Sequence, residues 1–282
     1  MSEAELTLQS PAKINLSLRI LKKRSDGFHE IETRMAPVSV FDELSFSRST
    51  ALGLQFTCDQ EELPLDDSNL VVKAVRLLEK RTRRKFDVAI HLAKHIPHGA
   101  GLGGGSGNAA VTLQGLNKLF ELKLSDKKLV KFAAEIGSDI PFFIYNSVCD
   151  CAGRGESVNP VEGFNRTLPI FLAKPAFNIS TPWAYQKWKD SKELPDILYA
   201  PQLLTWGSVV NDLERPVFAK HFSLATMKMW LLEQPEVAAA LMSGSGSTMI
   251  AILREMRLAK QLQKRALTEF GETTWTAICE AG

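Results

Sequence analysis

The sequence predicts an α+β fold in two domains. Apolar and polar residues alternate in the N-terminal stretches, the period of half-buried strands. Apolar residues later recur at three- and four-residue spacing, the period of helices with one buried face. From Ser223 onward the order reads helix, glycine loop, strand, helix, strand. That order suits a split βαβ layer of ferredoxin-like type, with its helices packed on one sheet face.

In chain order, Glu5 to Gln9 alternates weakly, and Ile14, Leu16, Leu18 and Ile20 alternate with Asn15, Ser17 and Arg19. Ser25-Asp26-Gly27 is a turn signal. Val38 to Ser47 and Leu52 to Cys58 read as further strands. Asp67-Ser68-Asn69 supplies an N-cap before an apolar stripe at Leu70, Val71, Ala74, Val75, Leu77 and Leu78, which predicts a helix. Asp87 to Leu92 is a strand with Val88, Ile90 and Leu92 on one face. A glycine-rich segment follows, then a helix from about Ser106 to Glu121 and another from about Asp126 to Ile136 capped by Ser125. Gly137 to Pro141 reads as a turn before an apolar run from Phe142 to Tyr145. Asn159-Pro160 and Glu162-Gly163 mark a boundary, giving domains 1–157 and 158–282. In the tail, the strands are Thr248 to Leu253 and Thr273 to Cys279, with a helix from Arg254 to Phe270 between them.

Composition excludes several classes. The chain has 282 residues, of which 45% are hydrophobic and 23% charged, an ordinary globular balance. Net charge is +2, too close to neutral for bulk nucleic-acid binding. The basic run Lys80 to Lys85 reads as a solvated helix end. The uncharged stretch Val237 to Leu253 is broken by Ser243-Gly244-Ser245-Gly246-Ser247 and does not read as a membrane span. The first five residues carry neither a basic nor an apolar leader pattern. Cys58, Cys149, Cys151 and Cys279 form no Cys-x-x-Cys, which suggests reduced thiols in a cytoplasmic protein.

Three segments carry chemistry. The first runs from Pro97 to Ala110 and places six glycines between residues 99 and 107, directly before a helical pattern. Glycines let backbone N–H groups approach a ligand, and the helix N-terminus adds free donors and a positive dipole end. Together these make an anion site suited to phosphate; the other reading of the segment is a flexible linker. Gly99, Gly101 and Gly104 match a dinucleotide fingerprint, with Glu121 downstream. However, Ala93 to His98 separate the strand from the loop, too far for its tight turn. The second segment is Pro11-Ala12-Lys13-Ile14-Asn15-Leu16, a lysine in an alternating strand: a functional cation if it points inward, a surface lysine if outward. The third is the Ser243 to Ser247 loop, either a plain connector or a second loop framing phosphates.

Together and in this order, the three segments resemble the motifs of the GHMP kinase superfamily. Four further matches narrow the resemblance: Arg24-Ser25-Asp26-Gly27-Phe28-His29, the Gly101-Leu102-Gly103-Gly104-Gly105-Ser106 form of the loop, Gly137-Ser138-Asp139-Ile140-Pro141-Phe142, and Asn211-Asp212-Leu213-Glu214. They point to the members that phosphorylate a cytidine-diphosphate-linked methylerythritol with ATP. The resemblance implies a two-domain fold with the active site in the cleft between the domains. It implies Asp139 as base and Lys13 as the cation beside it. It implies ATP held by Pro97, Gly99, Gly101, Leu102, Gly103, Gly104, Gly105, Ser106 and Gly107, with the adenine near Asn69, Leu70 and Lys94. Asn15, Phe28, His29, Thr181, Tyr185 and Gly244 are implied on the acceptor side. Mg²⁺ is expected to be held mainly by ATP oxygens, with no metal-ligand set from the chain. The expected partner is a small-molecule substrate, with no nucleic acid and no membrane, and the chain a monomer or weak homodimer. Three features depart from the family pattern: Gly107 replaces a frequent serine, Phe28 a frequent tyrosine, and Cys151-Ala152-Gly153-Arg154-Gly155 is a loose version of the usual strand before the domain boundary. The alternatives left open are another GHMP kinase of homoserine or mevalonate type, a non-catalytic nucleotide-binding protein, and a dinucleotide-dependent oxidoreductase.

Overall fold

The structure is a computed structural model, and it describes residues 4–282; the leader reading at Met1-Ser2-Glu3 lies outside the described residues. Two long strands, β1 (Leu6–Lys23) and β2 (His29–Arg48), pair antiparallel along nearly their whole length. The weak alternation at Glu5 to Gln9 and the stronger one from Ile14 are thus one strand, interrupted by register shifts at Pro11/Ala12, Asn15/Ser17 and Ile20/Lys22. Bulges of this kind break the period-2 signal locally, which is why the sequence splits the strand in two. Arg24 to Phe28 forms the connecting turn, with Gly27 at φ 86°.

β3 (Leu54–Cys58) and β4 (Val88–Ala93) are parallel, and β4 joins the outer part of β2. α1 (Leu70–Thr82) begins as predicted, because Asn69 Oδ1 accepts the Val71 N–H at 2.9 Å. α2 (Gly104–Leu119) starts two residues before the predicted Ser106; glycines of low helix propensity hide its first turn in the sequence. α3 (Asp126–Ile136) has the expected bounds, with Ser125 at the N-cap but no side-chain cap bond. The predicted turn and apolar run become a short helix, α4 (Ile140–Tyr145), with Pro141 in its first turn. β5 (Cys149–Gly153) pairs with β2 and with β6 (Ser157–Pro160). The apolar faces of α1 to α4 meet β2, β4 and β5 in one core that includes Phe46, Leu78, Phe86, Leu116 and Phe142.

β7 (Leu168–Lys174), α5 (Thr181–Lys187), β8 (Gln202–Leu204), β9 (Gly207–Asn211) and α6 (Glu214–Lys220) follow. Then come α7 (Phe222–Glu233), β10 (Val237–Met242), β11 (Met249–Leu253), α8 (Ala259–Phe270) and β12 (Trp275–Ala281). β10 is not foreseen, because Val-Ala-Ala-Ala-Leu-Met carries neither alternation nor strong β formers. The sheet runs β10-β11-β7-β12-β2-β1-β9-β8. Within it, β12, β7, β11 and β10 each run antiparallel to their neighbours, in the order of a split βαβ layer, as the tail pattern predicts. This layer packs on α6, α7 and α8. A further apolar cluster joins Ala12, Ile14, Leu16 and Val38 to Leu102, Ile170, Leu241 and Ile250. The first and last thirds of the chain therefore share buried contacts directly beneath the predicted site. No helix of the described residues is long and apolar enough to cross a membrane.

Candidate active site

Strand alternation sends Ile14 and Leu16 into the core and Lys13 and Asn15 toward a cleft of about 940 Å³. This settles the lysine's direction: Lys13 is only 3% exposed and lines the cleft. Its Nζ donates to Asn15 Oδ1 at 2.6 Å and to the Gly101 carbonyl at 2.9 Å. Its backbone N–H donates to the Leu102 carbonyl at 2.9 Å. β1 thus grips the glycine loop with both main chain and side chain. Asn15 is itself held, donating Nδ2 to Thr33 Oγ1 at 2.8 Å, while Thr33 Oγ1 donates to the Ser17 carbonyl at 2.6 Å. Thr33 carries no signal in the sequence, because its value lies in a cross-strand meeting.

Asp139 occupies the N-cap position of α4 but makes no cap bond with its side chain. Its carboxylate lines the same cleft as Lys13. Burial pushes the Lys13 ammonium below the usual lysine value, and the charge of Asp139 pulls it part of the way back. The Lys13 ammonium is bonded to Asn15 and Gly101 rather than directly to Asp139, so the coupling of the two is through space. The Tyr185 phenol is pushed well up, first by burial and then by the charge of Asp139.

The glycine loop enters α2 with Gly103 in the left-handed region at φ 69°. Gly104, Gly105 and Ser106 follow and line the cleft, placing the first, unpaired N–H groups of α2 there. The Ser243 to Ser247 loop abuts this one. Ser243 Oγ donates to the Gly101 carbonyl at 3.0 Å, and Thr248 N donates to the Ala100 carbonyl at 3.3 Å. Gly101 has φ 75°, and a Cβ there would stand 2.2 Å from the Ser243 carbonyl oxygen. Gly244 and Ser245 line the cleft, and Thr181 shares a 2.7 Å hydrogen bond with Ser245. The second-loop reading of this segment is therefore the one its geometry favours.

Asn211 to Glu214 explains itself once folded. Asn211 Nδ2 donates to the Met242 and Gly244 carbonyls at 2.6 and 2.7 Å. Asp212 accepts from Ile20 N at 2.9 Å and pairs with Arg19. Glu214 accepts from Met242 N at 2.8 Å and forms a buried ion pair with Lys228 at 2.6 Å. This motif touches no ligand space; it anchors the second loop and the end of β1.

At the far end of the loop, Asn69, Leu70, Lys94, Pro97 and Gly99 all line the cleft. Asn69 is occupied by its cap bond and by donation to the Pro64 carbonyl at 2.8 Å. The Lys94 ammonium is hydrogen-bonded to Asp42. Asp42 is fully buried and also accepts the His95 and Ile96 N–H groups, each at 2.8 Å. It is a supporting residue that the strand pattern alone conceals. Leu102 and Gly107 stand outside the lining. Leu102 is 1% exposed, and a Cβ on buried Gly107 would stand 2.8 Å from Ser10 Oγ. At Gly107, close packing against β1 is the visible constraint.

At the opposite end, the turn after β1 brings Phe28 and His29 to the mouth of the cleft, facing α5. The rings of His29 and Tyr185 lie 5.4 Å apart at 32°, and Trp188 meets His29 edge-on. Burial and the charge of Lys23 hold His29 below its ordinary pKa. The four cysteines are free thiols, and burial pushes Cys279 up to about 12. Among the described residues, no group of three His, Cys, Asp or Glu side chains could hold a metal ion.

A glycine phosphate loop opening a helix, a second small-residue loop latched to it, and an inward lysine near an aspartate define a GHMP-type small-molecule kinase. Residues 69–147 match the family model of the GHMP kinases N-terminal domain. The chain is 37% identical over 274 residues to the 4-diphosphocytidyl-2-C-methyl-D-erythritol kinase of Methylacidiphilum infernorum, covering 96% of this chain and 95% of the relative. A crystal structure of a 4-(cytidine 5'-diphospho)-2C-methyl-D-erythritol kinase superposes with a TM-score of 0.79 at 30% identity, covering 98% of this chain and all of that one. Homoserine kinase from Cytophaga hutchinsonii shares the fold, with a TM-score of 0.69 at 16% identity, covering 100% of this chain and 96% of that one. The chain belongs to the 4-diphosphocytidyl-2-C-methyl-D-erythritol kinase family. It is an ATP-dependent kinase acting on a small molecule.

Proposed function

We propose that the chain transfers the γ-phosphoryl group of ATP to the 2-hydroxyl of 4-diphosphocytidyl-2-C-methyl-D-erythritol, in isoprenoid precursor biosynthesis in the cytoplasm. The observation that carries this reading is a single cleft. It holds the glycine loop at one end, Lys13 and Asp139 in the middle, and Phe28, His29 and Tyr185 at the other. We take 1–157 and 158–282 as the two domains that frame it.

Phosphoryl transfer needs alignment and charge neutralisation more than covalent help. Asp139 accepts the proton of the acceptor hydroxyl as its oxygen bonds to the γ-phosphorus and the bond to the ADP oxygen breaks. Lys13 places a positive charge near Asp139 and offsets charge on the transferring group. Asn15 fixes the Lys13 ammonium. The loop amides and the N-terminus of α2 receive the phosphates. Phe28 and Tyr185 offer faces to the pyrimidine, and neutral His29 reads its edge. Ser106 and Asp139 supply oxygen donors on the cleft wall. These suit Mg²⁺ held mainly by phosphate oxygens, where it would neutralise charge.

The test is a coupled ADP-release assay with the cytidine substrate beside homoserine and mevalonate. Turnover confined to the cytidine substrate is expected. Preference for either of the others would assign the chain to a different acceptor.

A further inference from the structure

The turn between β5 and β6, Gly153-Arg154-Gly155-Glu156, reaches both working parts of the acceptor side. Gly155 lies beside Asp139: a Cβ there would stand in ordinary contact, 3.5 Å from Asp139 Oδ1. From the same turn, the Arg154 guanidinium lies over the ring of Phe28, 4.8 Å from its centroid. Arg154 lines the cleft and is anchored at both ends. Its N–H donates to Glu156 Oε2 at 2.6 Å, and its Nε stands 3.6 Å from Glu156 Oε1.

Phe28 needs such a partner. It is 51% exposed, on a turn held by backbone and charge contacts that leave its side chain free. Phe28 N donates to Asp26 Oδ1 at 3.1 Å, and Arg24 pairs with Asp26 and Glu30. None of those contacts fixes the ring. A half-exposed aromatic that must stack on a base loses rotamer freedom on binding, and that loss weakens affinity. A planar cation on one face restricts the ring beforehand and leaves the other face open.

We propose that Arg154 is a positioning residue for the nucleoside end of the substrate, backing one face of Phe28 so that the other is presented to the pyrimidine. The inference rests on the cytidine reading above. Arg154 acts through Phe28 and holds no role toward ATP.

The experiment is steady-state kinetics on wild type, Arg154→Met, Arg154→Lys, Phe28→Ala and the double variant Arg154→Met/Phe28→Ala. Arg154→Met should raise KM for 4-diphosphocytidyl-2-C-methyl-D-erythritol by about three- to tenfold, the worth of one such contact. KM for ATP and kcat should stay within about twofold of wild type. Arg154→Lys should recover part of the loss, because it keeps the cation without the plane. In the Phe28→Ala background, Arg154→Met should add nothing further. An unchanged KM for the cytidine substrate, an equal rise in KM for ATP, or full additivity with Phe28→Ala would each overturn the proposal. If wild type itself ignores the cytidine substrate, the acceptor reading fails first.

Discussion

The two ends of the cleft are built by different means. The end proposed for the phosphates is main chain: consecutive glycines, a helix start and a second loop latched through the Gly101 carbonyl. The end proposed for the nucleoside is side chain: Phe28 and His29 from one turn, Tyr185 from α5 and Arg154 from a third segment. A main-chain cradle is written in neighbouring residues and tolerates almost no added atoms. A side-chain pocket is gathered from distant positions and should yield by degrees when one member is removed.

The sharpest probe of this contrast lies where the ends meet. Asp139→Ala should lower kcat by about a thousandfold, within the span of a lost general base, while ATP still binds. Near-normal turnover would move the base elsewhere. Next is Gly101→Val on the main-chain side, which drives a side chain into the Ser243 carbonyl and demands an unfavourable φ. It should weaken ATP binding by more than about tenfold and lower thermal stability together, the cost of strain at a packed backbone. Unchanged ATP affinity would mean that the cradle adapts as readily as a side-chain pocket. His29→Ala on the side-chain side should raise KM for the cytidine substrate by about tenfold, the worth of one hydrogen bond with its stacking, and leave KM for ATP near wild type. A matching rise for ATP would erase the distinction between the ends.

The smallest effect concerns pH. Burial lowers the Lys13 pKa from 10.5, so its charge is lost below that value as pH rises. Activity should therefore decline on an alkaline limb lying under 10.5, a limb that Lys13→Arg displaces upward. Stability should run the opposite way for this group. A lysine whose folded pKa is depressed weakens the fold while it is charged, and that cost fades between the folded value and 10.5. A pH–rate profile with no limb below 10.5 would show that the Lys13 charge is not needed.

This division also explains what the sequence disclosed. The glycine loop and the start of α1 were legible because each is a local pattern with a local physical reason, whereas the inward direction of Lys13 is fixed only by the fold. α1 begins directly after Asp67-Ser68-Asn69, as that run implies. Asp42, Thr33 and Arg154 were not legible. Each acquires meaning only from a residue far along the chain: Lys94, Asn15 and Phe28 respectively. β10 hid behind three alanines, whose burial depends on the strands and helix around it. Leu102 and Gly107 illustrate the reverse case. They sit inside a motif that reads as ligand-binding, yet one gives its carbonyl to β1 and the other makes room for Ser10.

β1 has one more consequence. It carries Lys13 and Asn15, ties down the glycine loop, and runs on to the turn that bears Phe28. A strand paired along nearly its whole length, bulges included, fixes the spacing between the glycine loop and the turn proposed to meet the pyrimidine. A two-headed inhibitor, a purine and a pyrimidine joined by a spacer of the right span, would meet a distance already set. Its second head would bind at high effective concentration, and the best spacer should be short and rigid.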